Sequence, residues 1–169
     1  MTQESLLEGK RILLVDDEAD ILEMLEEELD MCELETASSF HEANDLLESQ
    51  KFDMAILDIM GVRGYKLLEI ANEKEVISIM LTAHALSPEN VDRSRREGAA
   101  SYVPKQKISD ICAVLVDILE AEEKGVSFWG RWHDRFGSYF DNIFGPNWNN
   151  SDEFRKEPYS PKWEEKYFH

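Results

Sequence analysis

Asp16 and Asp17 close one apolar run, Ile12 to Val15, and Asp58 closes another, Met54 to Leu57. Thr82 ends a third, Ile77 to Leu81, and Lys105 stands just past Tyr102-Val103-Pro104. If these runs are parallel strands of one sheet, their carboxyl ends share one edge, the place where open α/β sheets hold ligands. Three carboxylates, a hydroxyl and an ammonium would then meet in a small volume. Crowded carboxylates repel one another and resist ionising unless a cation lies among them, so the set points to a divalent metal.

The segments between the landmarks have the pattern such positioning needs. After the run at residues 11–15 the apolar period changes from continuous to helical, with Ile21, Leu22, Leu25 and Leu29 predicting a helix over about 18–31. Leu34 to Ala37 reads as a second strand, and Ser39-Phe40-His41-Glu42 has the spacing of a capping box that opens a second helix. Asp53 to Leu57 is the third strand, with a helix from about Gly64 to Asn72. Val76 to Leu81 is the fourth, and Ser87-Pro88-Glu89 supplies a cap, a first-turn proline and an acid for the next helix, which ends near Gly98. Ser101 to Val103 is a short fifth strand, and Ile108 to Leu119 carries a helix that runs to about Glu123. Five strands alternating with five helices imply a parallel sheet with helices on both faces.

The charge excludes some functions. The chain has 169 residues and a formal net charge of -18. Residues 1–124 hold 29 acids and 12 bases, whereas residues 125–169 hold 7 and 6. Binding to nucleic acid depends on Lys and Arg neutralising phosphates, so no direct nucleic acid binding is expected. Cys32 and Cys112 lie in apolar periodic segments and suggest neither a disulfide framework nor metal spacing. No basic segment leads into an apolar stretch at the amino terminus and no run of about 18 apolar residues occurs, so a cytoplasmic protein is expected.

Val15-Asp16-Asp17-Glu18, Leu57-Asp58, Leu81-Thr82-Ala83 and Tyr102-Val103-Pro104-Lys105, in this order and spacing, resemble the receiver domain of two-component response regulators over about residues 10–123. The resemblance implies a doubly wound, flavodoxin-like sheet of five parallel strands in the order 2-1-3-4-5. It implies that Asp58 is the phosphoacceptor, taking a phosphoryl group from a sensor histidine kinase, a phosphotransfer protein or a small acyl phosphate. Mg²⁺, or Mn²⁺ in its place, would be held by Asp17 and Asp58, by Asp16 mostly through water, and by the backbone carbonyl of Met60. Lys105 would pair with one phosphoryl oxygen and Thr82 would hydrogen-bond another, while Tyr102 would turn as Thr82 moves. The affected surface, formed by the fourth helix, fifth strand and fifth helix, dimerises or docks output partners in the family.

Two departures from the family pattern stand out. Val62 and Lys66 occupy places where the family usually has proline and glycine, with Gly61 and Gly64 nearby, which predicts a loop shorter by two residues after Asp58. Gln106 follows Lys105 where the family often has proline after a cis bond, and a trans bond is expected here. The altered loop motivates an alternative class, a receiver-like interaction module that is never phosphorylated. A metal-dependent phosphohydrolase would need a second carboxylate two residues after the nucleophile, where this chain has Met60.

Residues 1–124 are thus read as a receiver domain and residues 125–169 as an aromatic-rich extension. The extension holds 13 of the 17 aromatic residues and all four tryptophans. Trp129, Trp132, Phe136, Tyr139, Phe140 and Ile143 fall on one face of an amphipathic helix over about 128–144, opposite Arg131, Asp134 and Asp141. Gly130 and Gly137 weaken that helix by roughly 1 kcal/mol each, so it needs a surface to lie on. That surface could be its own receiver or a twin across a homodimer, another protein, or a membrane, the last the least suited because the near-neutral tail lacks the basic face expected for anionic lipid. An irregular tail follows, with Trp148, Phe154, Tyr159, Trp163, Tyr167 and Phe168 as anchors.

Overall fold

The computed structural model describes residues 3–84 and 86–148. Five strands, β1 (Arg11–Val15), β2 (Glu33–Ala37), β3 (Met54–Asp58), β4 (Ile77–Thr82) and β5 (Ser101–Pro104), form one parallel sheet in the order β2-β1-β3-β4-β5. The expected doubly wound architecture is therefore present. Every residue of β3 and β4 is buried, as their unbroken apolar runs require of strands covered on both faces. β2, at one edge, leaves most of its residues partly or fully exposed.

The crossover helices are α2 (Ala19–Glu28), α3 (Phe40–Ser49), α4 (Gly64–Glu73), α5 (Pro88–Arg96) and α6 (Ile111–Lys124), the last preceded by a 3₁₀ segment at Lys105–Asp110. The signals at their starts act as the residue types demand. The Glu42 N–H donates to Ser39 Oγ at 3.2 Å, and the Asn90 N–H donates to Ser87 Oγ at 3.1 Å, with Pro88 in the first turn. α2 is shorter at both ends than its apolar period predicts, because Leu29 leaves helical geometry and the chain turns toward β2. A short helix, α1 (Gln3–Leu7), precedes β1 and was not foreseen. It seats Leu7 in the core beside α6.

The helix α7 (Phe128–Phe144) has the predicted extent and lies on β5 and α6 of its own chain. Ser127 caps it, accepting from the Gly130 N–H at 3.2 Å. Phe128, Trp129, Trp132, Phe136 and Phe140 are buried under it, whereas Ile143, placed on the same face by periodicity, is 46% exposed because the helix has by then run past its support. Two indole N–H groups find carbonyl partners in the strand region: Trp129 Nε1 donates to Ala99 O at 3.0 Å and Trp132 Nε1 to Tyr102 O at 2.7 Å. Arg135 Nε donates to Asp117 Oδ2 at 2.7 Å, tying α7 to α6. Covered in this way, β5 is buried at all four positions although it ends the sheet. The seam between α6, α7 and β5 leaves a void of about 10 Å³, at the lower limit for one water. Trp148 packs against Phe140 and Phe144, while the other anchors expected in the tail lie outside the described residues.

Candidate functional site

The carboxyl ends of β1, β3 and β5 bring Asp16, Asp58 and Lys105 together. Asp58 is the last residue of β3, Asp16 and Asp17 follow β1, and Lys105 follows β5. The parallel register aligns Val15 with Leu57, and Thr82 with Pro104, so the residues just beyond each strand share one edge. Lys105 Nζ lies 2.9 Å from Asp16 Oδ2, 3.2 Å from Glu18 Oε1 and 3.4 Å from Asp58 Oδ1. The ammonium is thus in contact with three acids. Thr82 ends β4 fully buried, and Asp17 faces solvent.

The electrostatics follow from burial and crowding. Burial pushes the Asp58 carboxyl up from 3.8 to about 6; the negative charges of Asp16 and Asp17 add to the rise and Lys105 opposes it. Asp16 is raised for the same leading reason, against a hydrogen bond from the Glu18 N–H at 2.9 Å and the adjacent ammonium. Burial alone would depress Lys105, but its hydrogen bond to Asp16 and the charges of Asp58 and Asp16 outweigh that and hold it above its ordinary value. One ammonium faces four carboxylates, counting Asp17. The set is short of positive charge.

A hard divalent cation fits that deficit. Ligand oxygens of Asp16, Asp17 and Glu18 lie within 4.8 Å of one another, and all are of the type that Mg²⁺-like ions prefer. Asp16 Oδ2, buried, accepts no hydrogen bond beyond its ion pair with Lys105. Glu18 stands within this group, although the sequence reading gave it no role. Its place in the Val15-to-Glu18 motif was the available signal, but its approach to Lys105 spans 87 residues and depends on the fold.

The loop between β3 and α4 is built around two glycines. A Cβ on Gly61, where φ is +88°, would fall 2.5 Å from Asp17 Oδ2, and one on Gly64 would fall 2.1 Å from the Asp58 carbonyl oxygen. Backbone closes the space at Gly64, whereas at Gly61 the positive φ strains any side chain and the exposed Asp17 carboxylate would have to shift. Arg63 takes a left-handed φ of 56° to start α4, Val62 is fully buried, and Met60 points its side chain outward at 54% exposure. Gly61 and Gly64 let this loop pass closely around Asp17 and Asp58. After Lys105 the chain continues through trans bonds, as do all described residues.

Tyr102 is fully buried on β5, its ring 5.9 Å from that of Phe140. Burial pushes its hydroxyl well above the ordinary value, and the hydroxyl is held by the backbone of Ser87 at the start of α5. The cysteines take packing positions: Cys32 Sγ donates to Leu7 O and Cys112 Sγ to Glu28 O. Burial pushes the Cys32 thiol up to about 11, with Cys112 and Asp30 adding to the rise, which leaves it a poor thiolate. Among the described residues no helix is long and apolar enough to cross a membrane.

Residues 12–116 match the model of the response regulator receiver domain. Over 104 residues, 57% of this chain, the sequence is 36% identical to the two-component response regulator ARR12 and 35% identical to ARR10, both of Arabidopsis thaliana. The chain spans 17% and 19% of the length of those two proteins. A CheY-like receiver domain protein of Methanospirillum hungatei has a similar structure, with 30% identity and a TM-score of 0.58, covering 68% of this chain and 98% of that one. The response regulator DrrB of Thermotoga maritima is also similar, with 27% identity and a TM-score of 0.59, covering 68% of this chain and 54% of that one. α7 lies beyond the residues that the family model matches.

Proposed function

The chain belongs to the response regulator receiver family, a family of signalling domains, and on that footing we propose that it accepts a phosphoryl group on Asp58 and signals by a change of protein contacts. A carboxylate oxygen of Asp58 attacks phosphorus, an O–P bond forms, and the bond from phosphorus to the donor's leaving atom breaks with its electron pair. The donor is a sensor histidine kinase or a phosphotransfer protein. The observation that carries this reading is the contact of Lys105 Nζ with both Asp58 and Asp16, which sets a fixed positive charge beside the attacking oxygen.

Asp58, buried and raised to about 6, holds its own proton more readily than an exposed acid would. Asp17, Asp58, Asp16 and the Met60 carbonyl are the proposed holders of Mg²⁺ or Mn²⁺, with Glu18 added by the present geometry. When bound, the cation neutralises charge on the transferring phosphoryl group. Lys105 would exchange part of its contact with Asp58 for a phosphoryl oxygen, and Thr82, buried at the end of β4, would donate its hydroxyl to another. Tyr102, on the strand next to Thr82, is the proposed switch residue. Residues 1–124 are proposed as the receiver unit, with α7 as an added part.

Intact mass measurement after acetyl phosphate and Mg²⁺ tests the reading. One phosphoryl group should appear on the protein and none on Asp58→Asn. An unchanged mass, under conditions that label a control receiver, refutes it.

A further inference from the structure

α7 and the acidic cluster grip opposite ends of one short strand. At one end Trp132 Nε1 donates to the Tyr102 carbonyl at 2.7 Å, and the Phe140 ring lies 5.9 Å from the Tyr102 ring. At the other end Lys105, three residues on and roughly 10 Å away at the usual strand rise, reaches back to Asp16 and Asp58. β5 has four residues and all are buried, so it has little slack between the two grips. A second link runs alongside, where the Lys107 ammonium lies 5.0 Å from the centre of the Tyr139 ring on α7.

Any change in the charge that Lys105 faces alters the pull on β5. Removing the Asp58 charge, placing a cation among the acids, or adding a dianionic group to Asp58 each changes where the ammonium is best satisfied. Close-packed interiors transmit such shifts rather than absorb them. The Tyr102 carbonyl and ring move with the strand, and the Trp132 indole and Phe140 ring rest directly on them. By the reciprocity of linkage, the firmness of α7 docking then feeds back on the cluster.

We infer that α7 is an output element of this chain, coupled through β5 to the acidic cluster, so that the occupant of the cluster sets how α7 docks and α7 docking sets cation affinity. The inference rests on the proposed role of Asp58 and Lys105, and it concerns a helix outside the matched receiver residues. The outward face of α7, carrying Asp134, Ser138 and Asn142, is exposed and would be presented or withdrawn as the helix shifts.

Two measurements on the full chain test it. In the first, the indole N–H resonances of Trp129 and Trp132 are compared by NMR between the wild-type protein and Asp58→Asn without any cation. Movement of both is expected, since their acceptors flank or belong to β5; unmoved resonances overturn the coupling. In the second, Mn²⁺ affinity is measured for the wild type and for Trp132→Phe, which keeps an aromatic ring and removes the N–H to Tyr102. The dissociation constant should change by about fivefold or more, the lower end of ordinary coupling; equal affinity overturns the coupling. A wild type that binds no Mn²⁺ refutes the proposed cation site, while the indole comparison still judges the coupling by itself.

Discussion

Replacing Asp58 by asparagine should stabilise the protein at neutral pH, by an amount set by the surroundings of that carboxyl. Asp58 is 3% exposed, and burial, then Asp16, then Asp17 raise it from 3.8 to about 6 against the pull of Lys105. Between pH of about 4 and 6 the folded protein keeps a proton that the unfolded chain has released. Folding stability therefore falls as pH rises through this window and stays reduced above it. At about 1.4 kcal/mol per pH unit, the rise corresponds to about 3 kcal/mol of strain borne by the ionised site at pH 7. Asparagine is nearly isosteric and uncharged, so it recovers about that much. For a chain of this size the gain amounts to roughly 6–12 °C in Tm. Urea or thermal unfolding of both proteins at pH 7 and pH 4, without divalent cations, measures it. The advantage of the variant should shrink to well under about 1 kcal/mol at pH 4, where Asp58 is protonated in the folded protein and only about half ionised in the unfolded chain, and Mg²⁺ should shrink it at pH 7 by favouring the wild type. A variant no more stable at pH 7, or equally favoured at both pH values, would refute the account of strain at Asp58.

Other outcomes follow from the same geometry. Lys105→Met leaves Asp16 and Asp58 buried without their cationic partner, and should cost about 3–5 kcal/mol at pH 7 and less near pH 5, measured by urea unfolding. Gly61→Ala sets a methyl against Asp17 at a positive φ and should weaken Mn²⁺ binding by calorimetry, whereas Gly9→Ala, at a comparable φ of +77° but with open space around it, should carry the backbone strain without that loss of binding. Gly64→Ala drives a carbon into the Asp58 carbonyl and should lower stability by about 3 kcal/mol or more, with a matching fall in Tm. Phe140→Ala removes a fully buried ring that meets Tyr102, Trp132, Phe144 and Trp148, and should cost about 3–5 kcal/mol. If α7 were only loosely attached, that last loss would be close to zero.

The strands and their order of use were legible because parallel strands buried on both faces are written as unbroken apolar runs. β3 and β4 are the clearest cases, and Asp58 and Thr82 mark their ends. The caps at Ser39 and Ser87 were equally plain, since the hydroxyl that closes each helix lies three residues from the N–H it accepts. α1 was not legible: five residues are too few to show a period, and its Leu7 is held by contacts with a helix more than a hundred residues away. The exposure of Ile143 was missed because periodicity reports which face a residue lies on and not where the supporting surface stops.

By itself the amino-acid sequence determined the α/β class, the four strand-end motifs and the amphipathic character of residues 128–144, all of which are local patterns of residue type. It left three surfaces open for that helix. Only the tertiary structure decided that α7 lies on its own β5, because the choice depends on the shape of a face assembled from β5 and α6 and on carbonyls at Ala99 and Tyr102 that two indoles can reach. The same holds at the cluster. Asp16 with Glu18, Asp58, and Lys105 come from three distant parts of the chain, and the distances between them, the raised Asp58 carboxyl and the tight glycine loop are properties of folded space that no spacing of letters contains.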